Sequence, residues 1–365
     1  MRILHTESSI GWGGQEIRIL TEAQGMIARG HEVTLLTAPS ADIYPAAQRR
    51  NIPVVALPIE KKRPRALLAV RTWLTAHRGQ FDVINTHSST DSWLVALARA
   101  SLRDVPPVVR TRHVSTAVHD DRATRWLYQS ASSHIVTAGE ALRRQLVRDN
   151  GFPLERITSV PTGIDLARFR PMDRNAARRQ LGLDARPALG ILATLRDWKG
   201  HDYLLDAWKR LAPRFADWQL LVIGDGPQRG RLEARVGDEG LAQSVRFVGN
   251  QDDVPVWLNS LDLFTLPSFG DEGVPQGIMQ AMACGLAVVA TSVGAIEEAV
   301  QRDQTGLIVP PRDPAALADA LGALMADPAR RAAMGAAGRE YAIAHFGIDR
   351  MLDAMEAVFN RVIGR

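Results

Sequence analysis

The sequence predicts an α/β protein built from two doubly wound halves. Three observations carry that expectation. The chain has 365 residues, more than one compact core usually holds. Short β-branched runs alternate with longer amphipathic segments, the pattern of βαβ units around a parallel sheet. The alternation stops in "VPTGIDLARFRPMDRNAARRQLGLDARP", which is rich in Pro, Gly and Arg, and then restarts. A boundary near residue 165 follows, with a first domain over 1–165 and a second over 166–346.

In chain order, "RILHT", "EVTLLT", "PVVALP", "DVINTH", "PVVRTR" and "HIVTAG" read as the strands of the first half. Between them, "QEIRILTEAQGMIARG", "RALLAVRTWLTAHR", "DSWLVALARASL" and "RATRWLYQSA" read as helices. In the first of these, Ile17, Leu20, Met26 and Ile27 recur at roughly helical spacing and predict the buried face. In the second half "ALGILATL", "WQLLVIG", "VRFVG", "LDLFTLPS", "LAVVAT" and "TGLIVP" read as strands. The closing segment, 347–365, predicts a helix with Ile348, Met351, Leu352, Met355, Val358 and Phe359 on one stripe.

Composition narrows the classes. With 46% hydrophobic and 23% charged residues, the chain reads as an ordinary globular enzyme. A single cysteine, Cys284, excludes an internal disulfide and points to a reducing cytoplasm. The start, "MRILHTESSIGWGG", fits a first strand better than a signal peptide. Residues 1–165 hold 21 Lys+Arg against 15 Asp+Glu, and the other 200 hold 23 against 25. The basic clusters "KKRPR" (61–65), "RTR" (110–112) and "RR" (143–144) all lie in the first half. They suit solvated faces or an acidic substrate or anionic membrane surface. Zinc-finger spacing and aromatic–basic motifs are absent, so no nucleic-acid partner is expected.

In doubly wound sheets ligands bind beyond the carboxyl ends of the strands, so the loops there matter most. "GWGGQE" (11–16) is Gly-rich but lacks G-x-G-x-x-G spacing; a plain tight turn explains it as well as an anion-binding loop does. Arg196 and Lys199 in "ATLRDWKGHDYLL" follow the first strand of the second half and could share one diphosphate. "RFVGN" ends a strand on Gly249, where main-chain atoms could read a base. His87 in "NTHSS" and His113 in "RTRHVS" each close a strand. A structural histidine is the plainer reading of either, but two on one rim suggest a site. "FGDEGVPQGIMQAMACG" places Asp271 and Glu272 before a helix, with Pro275 expected at the first helical position and Gly285 at its stop. An acid there complements the helix dipole, and it can also hold sugar hydroxyls. No D-x-D pair, G-x-S-x-G, Walker loop or Cys/His metal cluster occurs.

Taken together, "GWGGQE", "TRH", "VPTGID", "LRDWKG", "IGDGP", "RFVG", "PSFGDEGVPQGIMQAMACGLAVVAT", "GAIEEAV" and "TGLIVPPRDP" resemble, in order, retaining glycosyltransferase family 4. The resemblance covers nearly the whole chain and is strongest over about 190–315. It implies a GT-B fold, two Rossmann-like domains facing a central cleft, with the closing helix crossing back onto the first. It implies a nucleotide-sugar donor, a polar glycan or glycolipid acceptor and no metal cofactor. Arg196 and Lys199 match the pair that holds the donor diphosphate, and Glu272 the acid on the donor sugar. Gly273 and Val274 match backbone donors beside it, and Gly249 the place where the base is read. Gly14 matches the loop that closes on phosphates, His113 the histidine beside the reacting sugar, and Glu298 the acid of a "PE" turn, here "EE". Front-face attack assisted by the leaving phosphate then needs no side-chain nucleophile or general base.

Three positions depart from the family. Gln280 stands where a second Glu usually binds the donor ribose, Pro275 where Gly is frequent, and Thr162 where Asn is usual. Expected roles are sugar transfer in surface-polysaccharide or lipopolysaccharide assembly, in the cytoplasm, with peripheral membrane contact through the basic half. The rivals are a nucleotide-sugar epimerase of the same fold, which needs no acceptor, and a non-catalytic nucleotide-sugar sensor.

Overall fold

The computed structural model describes residues 1–114, 116–270 and 272–364. The chain divides into two compact units, Met1–Gly163 with Ile348–Arg365, and Ile164–Gly347.

The first unit is a seven-stranded sheet. Its strands are β1 (Arg2–Glu7), β2 (Glu32–Thr37), β3 (Val54–Ala56), β4 (Val83–Thr86), β5 (Val108–Arg112), β6 (His134–Thr137) and β7 (Ile157–Ser159). They lie in the order β3-β2-β1-β4-β5-β6-β7. Every pairing is parallel, and Ile3 is in register with Val33 on one side and Val83 on the other. The strands read as near-continuous apolar runs because helices cover both faces of such a sheet. The strand order reverses between β1 and β4, so the loops after these two strands diverge and leave a crevice.

The first helix, α1 (Gly14–Ala28), departs from its expected face. Leu20 and Met26 are buried, but Ile27 is exposed and Ile17 only half-buried. Ile19, Ala23 and the charged Glu16, Arg18 and Glu22 are buried instead. The apolar pattern missed this face because it carries a buried polar network. The expected single helix over 122–131 is an α-helix, Arg122–Trp126, that passes into a π-helical turn, Leu127–Ala131.

The closing helix, Ile348–Ile363, joins the core of this unit through Met351, Leu352, Met355, Val358 and Phe359. Each such side chain contributes about 1.5–3 kcal/mol on burial. Its polar edge pairs with the end of α1: Arg29 lies 2.7 Å from Asp353, and His31 lies 2.7 Å from Glu356.

The second unit repeats the plan with six strands: β8 (Ala188–Leu192), β9 (Gln219–Ile223), β10 (Val245–Gly249), β11 (Leu263–Leu266), β12 (Val288–Thr291) and β13 (Gly306–Val309). The order is β10-β9-β8-β11-β12-β13, again all parallel, with the reversal between β8 and β11. Among the described residues, no helix is long and apolar enough to cross a membrane.

Candidate active site

The reversal point of the second sheet gathers most of the expected residues. After β8 the chain makes a short 3-10 turn, Asp197–Lys199, and enters the helix His201–Leu211 through Gly200. After β11 it runs through Ser268 and Glu272 to the helix Gln276–Ala283. The loops are fastened together, since the Phe269 N–H donates to the Trp198 carbonyl at 2.8 Å. Gly200 sits at φ +77°, and a Cβ there would lie 1.9 Å from the Pro267 oxygen. Only glycine allows that approach.

The result is a pair of opposite charges. Lys199 Nζ donates to Glu272 Oε1 at 2.6 Å, and the Ser268 hydroxyl donates to the same oxygen at 2.7 Å. Glu272 is buried and Lys199 half-buried. The Glu272 carbonyl accepts from Ala295 N–H at 2.9 Å, which ties it to the turn before the short helix Ile296–Ala299. Glu298 lies in that helix, and its carbonyl accepts from the Tyr341 hydroxyl at 3.2 Å. Arg196 is exposed, with its guanidinium 5.2 Å from the centre of the Trp198 ring. Gly273 is half-buried, Val274 buried and Gln280 half-buried on its helix. Gly249 ends β10 at φ +73°, and its carbonyl accepts from Gly224 N–H at 2.9 Å.

One detail differs from expectation. Pro275 precedes the helix rather than opening it, with extended backbone at ψ 124°. Its ring still suits this place, because the helix loses no hydrogen bond to it. Asp271 lies outside the described residues. The stop is as expected: the helix ends at Ala283, and Gly285 follows at φ +82°.

In the first unit, the reversal point holds a polar network that strand-end reasoning only touched. His5, His87 and His113 form a file. His5 Nδ1 meets His87 Nε2 at 2.8 Å, and His87 Nδ1 meets His113 Nε2 at 2.9 Å. His87 is buried between the other two, with both ring nitrogens engaged. Burial holds all three rings well toward the neutral form, His5 down to about 3. Beneath them, Arg18 and Glu22 pair at 3.7 Å, and Asn85 donates to Glu22 at 3.4 Å. Beside them, Glu7 accepts from the Gln15 amide and the Ser88 hydroxyl, and from Ser9 N–H at 2.6 Å. Gln15 thereby anchors the start of α1 and the Gly-rich loop; the exposed Gly14 is the helix's first residue.

The acids of this network shift the other way from the histidines. Burial, then the Asp91 charge, pushes Glu7 up to about 8. Burial also raises Glu22 to about 7 and Asp91 to about 6. A raised acid holds its proton longer when folded, so its stabilisation is present below its unfolded value and lost as pH rises through the folded one. A depressed histidine does the opposite, losing its contribution as pH falls. Stability should therefore peak between about pH 4.5 and 6.5, the ordinary Glu and His values, and decline on both sides. Denaturant midpoints measured from about pH 3 to 9 check this, and Glu7→Gln should shallow the alkaline limb.

Two Rossmann-like sheets, the second with paired acid and cation at its reversal point, make the GT-B architecture of sugar transferases. The chain belongs to family 4 of these enzymes, the glycosyl transferases of group 1. The model described as "Glycosyltransferase Family 4" matches residues 12–168, and "Glycosyl transferases group 1" matches 186–327. A lipopolysaccharide core biosynthesis mannosyltransferase, LpsB of Rhizobium meliloti, is 34% identical over 70% of this chain and 74% of its own. A D-inositol 3-phosphate glycosyltransferase of Xylanimonas cellulosilytica is 31% identical over 97% of this chain and 93% of its own. Anabaena HepE, solved in complex with UDP, has the same fold with a TM-score of 0.87, 21% identity and coverage of 99% and 100%.

Proposed function

We propose that this glycosyltransferase moves a sugar, with retention of anomeric configuration, from a nucleotide diphosphate to a polar acceptor in surface-glycan assembly. The observation that carries the reading is the Lys199–Glu272 pair at the β8/β11 reversal point, with Arg196 at the same loop. Breaking a sugar–diphosphate bond builds positive charge on the sugar and negative charge on the leaving phosphate. Arg196 and Lys199 supply fixed cations for the phosphate, and Glu272, held by Ser268, accepts from sugar hydroxyls. On this reading no metal carries that charge. The relatives named for lipopolysaccharide core mannosyl transfer and inositol phosphate glycosylation support a sugar-rich or phosphorylated acceptor.

Titration with UDP-, GDP- and ADP-sugars tests the donor. At one hundred times its dissociation constant the right donor stabilises by about 2.7 kcal/mol, read as a raised melting point. Gln280 should face the nucleoside, where an amide offers one acceptor oxygen and no charge. Gln280→Glu should therefore bind the same donor equally or up to about tenfold more tightly. No response to any donor would sink the reading. Loss of donor binding in Gln280→Glu would make the amide a specificity element instead.

A further inference from the structure

We propose that the first unit holds an oxyanion site, formed by Lys62, Arg110 and Arg112 around Tyr128, that takes the phosphate of the acceptor. The word acceptor rests on the transferase reading; the site itself does not.

Arg110 is the strongest sign. It is 5% exposed, and its Nε and Nη1 are buried with no hydrogen-bond partner among the described residues. No carboxylate lies within 4.0 Å of it among those residues. An unpaired buried guanidinium is costly and calls for an anion. Its guanidinium carbon lies 4.7 Å from the centre of the Tyr128 ring. Arg112, two residues along β5 and so on the same face, donates to the Tyr128 hydroxyl at 3.0 Å and to the Thr116 carbonyl and hydroxyl, while its Nε is buried with no partner among the described residues. The π-helical turn Leu127–Ala131 presents Tyr128 to both. Such turns recur at functional sites.

Lys62 completes the cluster. Its ammonium donates to the Ser89 hydroxyl at 3.1 Å, at the start of the helix Ser89–Ala100, and lies 5.7 Å from the Trp93 ring centre. Burial, then the Arg110 charge, lowers its affinity for a proton. The acid that feels this cluster, Asp91, is already committed. It accepts from Thr6 at 2.7 Å, Ser8 at 3.2 Å, His87 N–H at 3.0 Å and Ser88 N–H at 2.9 Å. Lys62 and Arg110 thus share one acid, Asp91, that is already committed, and Arg110 and Arg112 keep buried N–H groups unmet among the described residues, a demand that a phosphate answers.

The test uses the full chain, with inorganic phosphate and glucose 6-phosphate as probes and the melting point as readout. Both should raise the wild-type midpoint. Arg110→Met should melt higher without anion, because an unpaired buried charge is gone, yet lose the phosphate response. Lys62→Ala, at an exposed position, should keep its midpoint and need about tenfold or more phosphate for half-saturation. Lys199→Ala should keep the phosphate response and lose the donor response. Sedimentation with phosphatidic acid vesicles separates the sources. Binding that Lys62→Ala removes, with no glucose 6-phosphate response, assigns the phosphate to a lipid headgroup; the reverse assigns it to a soluble sugar phosphate. Absence of any phosphate response in the wild type would overturn the site. So would a response unchanged in both Arg110→Met and Lys62→Ala. The donor titration on the same samples then shows whether the transferase reading stands without it.

Discussion

Glu272→Gln is expected to lower kcat by about 100-fold while leaving the fold intact. One oxygen of this carboxylate accepts from both Lys199 and Ser268, and the amide oxygen of glutamine can keep both bonds. What it loses is the charge that fixes Lys199 and that answers the positive charge on the reacting sugar. Removing one preorganised electrostatic partner of a transition state typically costs about 10²–10³ in rate, or about 2.7–4 kcal/mol. The melting point should move by only a few degrees, because glutamine is nearly isosteric and the Ser268 bond survives. Steady-state kinetics with a donor chosen by titration checks it. A kcat within about threefold of wild type would remove Glu272 from the chemistry.

The second large effect is expected at a glycine, not at an acid. Gly294 sits at φ +56°, and a Cβ there would lie 2.1 Å from the Glu272 carbonyl oxygen and 2.6 Å from its nitrogen. Gly294→Ala therefore forces either the turn or the Glu272 backbone to move. The left-handed conformation costs about 1–2 kcal/mol and the overlap about 1–3 kcal/mol more. Loss of about 2–5 kcal/mol of stability should come with loss of activity resembling that of Glu272→Gln. Gly240→Ala provides the comparison. It has φ +70° with nothing within 4 Å of the added carbon, so only the conformational cost remains. Urea unfolding of both variants separates the two contributions. Equal midpoints would mean that the contact with Glu272 yields at no cost.

These two sites show what could be read from residues alone. Arg196, Lys199 and Glu272 were legible because each follows a strongly apolar strand, where a doubly wound sheet exposes its loops. Most strands were legible for the same reason, their buried apolar runs being unbroken. Shorter or more polar elements were not. The strand Ile157–Ser159 is three residues long, and the helix Ile43–Arg49 contains a proline. The helix Glu140–Asn150 buries only Leu142, Leu146 and Asn150, too few for a readable stripe. The polar network of the first unit was hidden more deeply. His5, Glu7, Arg18 and Glu22 lie in β1 and α1, while their partners His87, Ser88 and Asn85 come from more than sixty positions away. A local signal existed: Arg18 and Glu22 are four residues apart on the face that should have been apolar. The Gly200 and Gly294 contacts are set by packing between loops, and no pattern in the chain announces them.

The measurement that bears most directly on the whole reading is the anomeric configuration of the product. The enzyme is incubated with its α-configured nucleotide-sugar donor and an acceptor that supports turnover, and the new linkage is followed by proton NMR. Retention predicts an α linkage from the first detectable product, with one nucleoside diphosphate released per sugar transferred, and a rate that falls about 100-fold in Glu272→Gln. A β-linked product, or an altered free sugar formed without any acceptor, would contradict it.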